Sequence, residues 1–375
     1  MEFRDLKRQY AHLREAIDAR IEETIAFSHF ISGPEVKELE ERLAKYVGVK
    51  HCITCANGTD ALSLACMAWQ IGQEDAVFVP DFTFFSSGEA PALLGAHVVF
   101  VDVEADTFNM DPEKLEKAVE AVEKEGRYRP RVVVAVDLFG QPADYDRICP
   151  ICEKHGLLLL EDGAQGFGGE IRGRKACSFG DISTTSFFPA KPLGCYGDGG
   201  AVFTNEDDTA AMLRSLAVHG KSPESKYDNL RLGMNSRLDT IQAAILLPKL
   251  NAFEQEEVAA VNCVAELYWK ELEDTDFAVP VIREGFLSSW AQFTIQIPSR
   301  LDRDAVQAAM KAAGIPTMVY YVKPMHKQEA FLGTGSEEAD CPVTEELCKC
   351  VLSLPMHPYM TEEEVKMVVK ELKKL

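Results

Sequence analysis

The segment Ser186-Phe-Phe-Pro-Ala-Lys191-Pro-Leu-Gly194 sets one lysine among apolar residues, just before a glycine-rich run, Gly194-Cys-Tyr-Gly-Asp-Gly-Gly200. Upstream, the apolar run Leu157-Leu-Leu-Leu160 leads into Glu161-Asp162-Gly-Ala-Gln165. A desolvated lysine keeps its amine neutral and can form a Schiff base with an aldehyde. A carboxylate at a strand end can hold a protonated pyridine nitrogen. The two together point to pyridoxal phosphate chemistry, in which a protonated ring withdraws electrons from the carbon whose C–H bond breaks.

Each residue also has a plainer reading. Most lysines are solvated, but Phe187, Phe188 and Pro189 surround Lys191 with apolar groups, and the glycines after it let backbone lie close to a flat cofactor. Asp162 can be a turn or helix-cap aspartate, and Glu161 competes for its role; on a strand the two point to opposite sides. Asp-Gly-Ala-Gln favours Asp162, with Gln165 near the ring hydroxyl. Asn57-Gly58-Thr59-Asp60 reads as a strand, a turn and a helix start, which makes an anion site from backbone N–H groups and the helix dipole. Gly58 and Thr59 would take a phosphate there, with Ser186 adding a hydroxyl. Phe84 either stacks on the ring or packs in the core. In Gly233-Met-Asn235-Ser-Arg237-Leu-Asp239, an amide and a guanidinium suit a loop that reaches toward anions, or simply precede a helix cap.

The elements that must position these groups follow from periodicity. An amphipathic helix covers residues 5–27, and Ser32-Gly-Pro34 separates it from a second one. Short apolar strands are expected at His51–Cys55, Ala76–Val79, His97–Val101, Val132–Val136 and Leu157–Leu160. Between them fall helices at Ala61–Trp69, Phe85–Leu94, Pro112–Glu125 and Tyr145–His155. Alternation of this kind means an α/β fold with a mainly parallel sheet covered on both faces, and sites beyond the carboxyl ends of its strands. Strands at Ile182–Phe187 and Gly200–Thr204 flank the lysine. A long helix from Asp239 toward residue 270 has Pro248 as its possible kink. The tail reads as a strand (Ala291–Gln296), a helix (Asp302–Ala313), a strand (Thr317–Tyr321) and a terminal helix (Thr361–Leu375). The expected division is a large domain, 1–249, and a smaller α+β domain, 250–375.

With 375 residues the chain can bury a large core. A formal charge of −21 argues against nucleic acid or an anionic membrane surface as partner, although a local basic pocket can still receive an acidic substrate. The eleven cysteines form two C-x-x-C pairs, Cys52/Cys55 and Cys149/Cys152, but no histidine or second pair completes a metal set. No metal is expected, and many unpaired thiols indicate a reducing cytoplasm. Neither an apolar signal core nor a run near about 18 apolar residues is present, so export and membrane spanning are not expected.

Seven segments, taken in order, resemble the DegT/StrS family of nucleotide-sugar aminotransferases, across essentially the whole chain. They are Phe30-Ile-Ser-Gly-Pro-Glu35, Asn57-Gly-Thr-Asp-Ala-Leu62, Pro80-Asp-Phe-Thr-Phe84, Asp162-Gly-Ala-Gln165, Ser186-Phe-Phe-Pro-Ala-Lys191, Gly197-Asp-Gly-Gly200 and Asn235-Ser-Arg-Leu-Asp239. The resemblance implies fold type I of the pyridoxal-phosphate-dependent transferases, the aspartate-aminotransferase-like fold. It also implies a homodimer with shared active sites. It makes Lys191 the Schiff-base lysine, Asp162 the pyridine partner and Gln165 a contact of the ring oxygen. Gly58, Thr59 and Ser186 would hold the phosphate, joined by Asn235 from the partner subunit. A dehydratase branch has histidine in place of the lysine; this chain keeps the lysine, which favours transamination.

Phe187 to Gly200, Asp106-Thr-Phe-Asn-Met110 and Trp290-Ala-Gln-Phe-Thr294 look like the branch acting on UDP-2-acetamido-3-keto-glucuronate, in cell-surface polysaccharide biosynthesis. There, L-glutamate gives its amino group to a C3 ketone and leaves as 2-oxoglutarate. Arg237 would bind the sugar carboxylate, and Tyr320 and Tyr321 would contact substrate. Met318-Val-Tyr-Tyr-Val-Lys-Pro324 departs from the commoner His-Tyr-Pro, with Tyr320 in the histidine position and Val322 in the proline position. A UDP-4-keto or dTDP-3-keto-6-deoxy sugar is the alternative acceptor. A cofactor-binding regulator without catalysis is the alternative class, which the retained lysine, aspartate and glutamine argue against.

Overall fold

The computed structural model describes residues 1–222, 224, 225 and 227–375. Helices α1 (Leu6–Phe27) and α2 (Pro34–Val47) lead into β1 (His51–Cys55), α3 (Gly58–Ala68), β2 (Asp75–Pro80), α4 (Ser86–Leu93), β3 (His97–Val101) and α5 (Pro112–Glu125). The alternation continues through β4 (Arg129–Val136), α6 (Tyr145–His155), β5 (Leu158–Asp162), the short β6 (Glu170–Ile171) and β7 (Arg174–Lys175), β8 (Ile182–Ser186), β9 (Gly200–Thr204) and α7 (Asp207–Leu216). A helical rod, α8 (Thr240–Ala252) and α9 (Val258–Leu272), joined by a π turn at Phe253–Glu257, leads to β10 (Phe286–Leu287) and β11 (Phe293–Gln296). Helix α10 (Arg303–Ala312), α11 (Pro342–Cys350), β12 (Val351–Leu354) and α12 (Glu362–Leu372) complete the chain.

Seven strands form the main sheet in the order β1-β9-β8-β5-β4-β2-β3. All of them run one way except β9, which is antiparallel to both of its neighbours. Every residue of β2 is buried, as expected of a strand covered on both faces. Helices α3 and α7 pack their apolar faces on one side of the sheet, with Leu64 and Leu213 in the same core as Val77 and Val134. Leu115, Val119, Ile148 and Ile151 of α5 and α6 cover the other side. A separate apolar cluster gathers Tyr268, Phe293, Leu352 and Val368 from the last third of the chain; the Tyr268 and Phe293 rings stack at 4.8 Å.

Several expectations change at their ends. Asn57 is an N-cap whose side chain accepts from Asp60 N–H at 2.8 Å, so Gly58 and Thr59 form the first helical turn of α3 rather than a turn before it. Strand β5 continues through Asp162, which pairs with Thr184, instead of stopping at Leu160. Pro248 lies inside α8 without ending it, and the irregularity comes later, in the π turn. The expected strand Thr317–Tyr321 does not form. Met318 alone bridges to Ser353, on the edge of β12 that β11 leaves open, and Tyr320 and Tyr321 instead pack against Phe3 and Phe82. Helices α7 and α11 were not anticipated. The C-x-x-C cysteines are all free thiols, with Cys52 and Cys55 inside buried β1.

Candidate active site

The carboxyl ends of β1, β2, β4, β5 and β8 open onto one region, the usual place for a ligand in such sheets. Antiparallel β9 brings the two outer turns together. Its first residue, Gly200, is registered against both Cys55 at the end of β1 and Ser186 at the end of β8. A side chain there would meet Asn57 O at 2.5 Å. At Gly58 a Cβ would fall 2.7 Å from that of Ser186. Glycine at these two positions lets the start of α3 lie directly against Ser186. Asn57 occupies the Asp60 N–H, and the Gly58 and Thr59 N–H groups ahead of it have no partner among the described residues, as the first N–H groups of a helix do. The Thr59 hydroxyl is hydrogen-bonded to that of Ser86 at 2.7 Å.

Asp162 is buried, and its two oxygens have separate donors. The Ser87 hydroxyl donates to Oδ2 at 2.7 Å, and Ala164 N–H donates to Oδ1 at 3.2 Å. Thr83 supports Ser87 at 3.1 Å. Burial pushes the Asp162 carboxyl above its ordinary range, while Ser87, the Lys191 amine and Ala164 N–H hold it down. Glu161 points the other way, as alternation on a strand requires. It accepts from Cys177, Phe179 and Gly180 N–H groups and from the Ser183 hydroxyl. Its carboxylate is consumed by that nest, which leaves Asp162 to face the site.

Lys191 is half-buried at the end of a turn closed by its own N–H donating to Phe188 O at 2.8 Å. Burial lowers its amine pKa, Asp162 opposes the change, and Arg4 adds to it. Gln165 is buried and its amide has one possible orientation. Phe139 N–H can only donate, so Gln165 Oε1 must face it, at 2.8 Å. The Gln165 NH2 then donates to the Tyr321 hydroxyl at 3.1 Å. Tyr321 packs edge-on to Phe82 at 5.8 Å, and Tyr320 to Tyr321 at the same distance. Asp81 ties this loop to the end of β2 by accepting from His326 N–H at 2.7 Å and pairing with its ring at 2.6 Å.

The sequence-predicted residues therefore separate into two groups. Gly58, Thr59, Ser186, Asp162, Gln165, Lys191 and Tyr321 are brought to one place. Phe84 is 54% exposed, so the core-packing reading does not hold for it. Asn235 and Arg237 flank Ser236, whose hydroxyl accepts from Ala56 N–H at 3.0 Å just before the α3 turn. Arg237 donates to Asn235 Oδ1 at 2.5 Å and lines a cavity of about 440 Å³ with Ser32, Lys37 and Arg214. Among the described residues, no hydrogen bond or ion pair joins either of them to Lys191, Asp162 or Gln165. Ser87 and Arg4 belong to the site but carry no local signature: a serine in Phe-Ser-Ser-Gly and an arginine near the start of α1 look like any others.

A mainly parallel sheet with this site at its carboxyl edge is the architecture of a fold type I, pyridoxal-phosphate-dependent transferase. The chain belongs to the DegT/DnrJ/EryC1/StrS aminotransferase family, whose profile matches residues 11–373. It is 45% identical, over 99% of its length and 99% of the relative's, to the UDP-2-acetamido-2-deoxy-3-oxo-D-glucuronate aminotransferase of Pseudomonas aeruginosa. Its structure is similar to that of a DegT/DnrJ/EryC1/StrS aminotransferase from Brucella abortus, with a TM-score of 0.95 and 46% identity over 100% of this chain and 99% of that one. It is also similar to DesV of S. venezuelae, solved in complex with a ketimine intermediate, with a TM-score of 0.92 and 33% identity over 100% and 97% of the two chains. The protein is a pyridoxal-phosphate-dependent nucleotide-sugar aminotransferase. Its residues fit that cofactor: the glycine-lined cradle at α3 suits a phosphate, Asp162 a pyridine nitrogen, Gln165 NH2 a ring oxygen and the Lys191 amine an aldehyde. No helix among the described residues is long and apolar enough to cross a membrane.

Proposed function

We propose that this enzyme transfers the amino group of L-glutamate to the C3 ketone of UDP-2-acetamido-2-deoxy-3-keto-glucuronate, in polysaccharide sugar biosynthesis. The similarity to the Pseudomonas aeruginosa enzyme, which covers 99% of both chains, is the observation that carries the choice of sugar. When bound, pyridoxal phosphate supplies a ring that withdraws electrons from the reacting carbon. The chain's own residues do the rest. Gly58 and Thr59 N–H groups and the Ser186 hydroxyl hold the phosphate, with Asn235 of a second subunit. Asp162 would hold the pyridine nitrogen in its protonated form, and Phe84 would offer an apolar face to the ring. Gln165 donates to the ring oxygen. Lys191, freed from the cofactor aldehyde, would serve as the base for the donor's Cα proton and then as the acid that gives the proton back. 2-Oxoglutarate leaves before the keto-sugar binds, and Arg237, Tyr320 and Tyr321 receive the sugar.

This reading includes a homodimer with shared active sites. It is supported by the lack, among the described residues, of any hydrogen bond or ion pair joining Asn235 or Arg237 to Lys191 within one chain. Exposed apolar side chains at Phe27, Phe30, Ile31 and Phe188 also support it. A large unit, 1–249, and a small one, 250–375, agree with the separate apolar cluster of the last third. Eleven free thiols support a cytoplasmic location. The test is to convert the holoenzyme with L-glutamate, remove the glutamate, and offer UDP- and dTDP-linked keto-sugars in turn. UDP-2-acetamido-3-keto-glucuronate should restore the original visible spectrum fastest. Faster restoration by a 4-keto or 6-deoxy sugar would replace this substrate, and turnover by Lys191→Ala would remove the mechanism.

A further inference from the structure

The segment before α1 ties together three parts of the site. Phe3 O accepts from Met356 N–H at 3.1 Å, and the Phe3 ring meets Tyr320 edge-on at 6.4 Å. Arg4 Nη2 donates to Pro192 O at 3.1 Å, the carbonyl of the residue that follows Lys191. The next residue, Asp5, caps α1 through Arg8 N–H, so the segment is fixed on both sides of Arg4. Arg4 is half-buried. Glu257 is the carboxylate that faces it; its Oε1 accepts from Gln9 at 2.8 Å and Tyr359 at 2.6 Å, which fixes that carboxylate in place. Asp162, from the end of β5, and Arg4, from this segment, are the charged groups that face the Lys191 amine.

We propose that Arg4 is a positioning residue for Lys191: it anchors the peptide after the lysine through Pro192 O and presents a permanent positive charge to the lysine nitrogen. A lysine that leaves the cofactor to move a proton must stay near and must be unprotonated to act as base. The Pro192 anchor meets the first need. The charge meets the second, because a neighbouring cation disfavours protonation. Asp162 acts in the opposite sense, so the nitrogen titrates between the two. The inference rests on Lys191 being the cofactor-bearing lysine.

The test is a pH titration of the holoenzyme's lysine-dependent visible band in the wild type, Arg4→Met and Arg4→Lys. The midpoint should move up by about one pH unit in Arg4→Met and stay in place in Arg4→Lys. The acid limb of the glutamate half-reaction should follow the midpoint, with KM for glutamate unchanged. If Arg4→Met does not fold, Arg4→Gln makes the same test. An unmoved midpoint overturns the proposal. So does a raised glutamate KM at an unmoved midpoint, which would make Arg4 a substrate contact. A Lys191→Ala holoenzyme that keeps the band overturns the Lys191 assignment itself, and this proposal with it.

Discussion

Ser87 donates its hydroxyl proton to Asp162 Oδ2 at 2.7 Å, across the gap between the start of α4 and the end of β5. Both residues are buried, so the bond is made in a low-dielectric setting where a charge-assisted contact counts most. Ser87→Ala removes the first of the groups that hold the Asp162 carboxyl down. Its pKa then rises further, and the acid limb of activity moves to higher pH. A loss in kcat on the order of tenfold is expected at neutral pH, with rescue by Ser87→Thr. Pre-steady-state rates of the glutamate half-reaction across pH provide the check, and an unshifted limb would count against the role given to Ser87.

Among the described residues, no hydrogen bond or ion pair joins Asn235 to Lys191 within one chain. If sites are shared, Lys191→Ala and Asn235→Ala proteins are each impaired. Mixing them under exchange conditions should restore part of the activity, because one site of each mixed dimer then holds both residues. No recovery after verified subunit exchange would place both residues in the same subunit's site.

Tyr320 sits half-buried between Phe3 and Tyr321. Tyr320→His should raise KM for the keto-sugar about tenfold, since the ring shape presented to the acceptor changes. The glutamate half-reaction should be unaffected. Equal damage to both halves would show that Tyr320 supports the fold rather than the sugar.

Lys249 is 1% exposed on α8; among the described residues its Nζ has no hydrogen-bond partner, though it lies 4.9 Å from the Tyr196 ring and feels the Glu257 carboxylate. Burial lowers its pKa to about 8. The unfolded chain binds this proton up to its ordinary value of 10.5, so wild-type stability rises as pH climbs from about 8 toward that value. Lys249→Met should therefore stabilise the protein by on the order of 2 kcal/mol at pH near 7, and by less near pH 10. Melting temperatures at the two pH values measure this. A mutant that melts lower at both would mean that the ammonium is better paired than its surroundings indicate.

Local sequence carried most of the elements because each has a local cause. Apolar runs buried on both faces made β1 to β5 readable, and Pro34 and Pro112 marked helix starts that the structure keeps. The strand expected at Thr317–Tyr321 reduces to one antiparallel bridge, Met318 to Ser353 on the open edge of β12, and tertiary contacts of Tyr320 and Tyr321 with Phe3 and Gln165 take the chain elsewhere. Asp162 and Glu161 could be ranked by motif alone, yet what separates them physically is the nest of N–H groups at Cys177, Phe179 and Gly180, which comes from a distant loop.

By itself the sequence determined the chemistry: a lysine among phenylalanines, an aspartate closing an apolar strand and a glycine-hydroxyl helix start each owe their character to immediate neighbours. Tertiary structure alone decided how they meet. Antiparallel β9 sets Gly200 between two strand ends, and only the absence of a side chain there lets Gly58 and Ser186 touch. The fold also delivers Ser87 to Asp162, Phe139 N–H to Gln165 and Arg4 to Pro192. Hydrogen bonds of this kind join residues far apart in the chain, and no spacing rule encodes them.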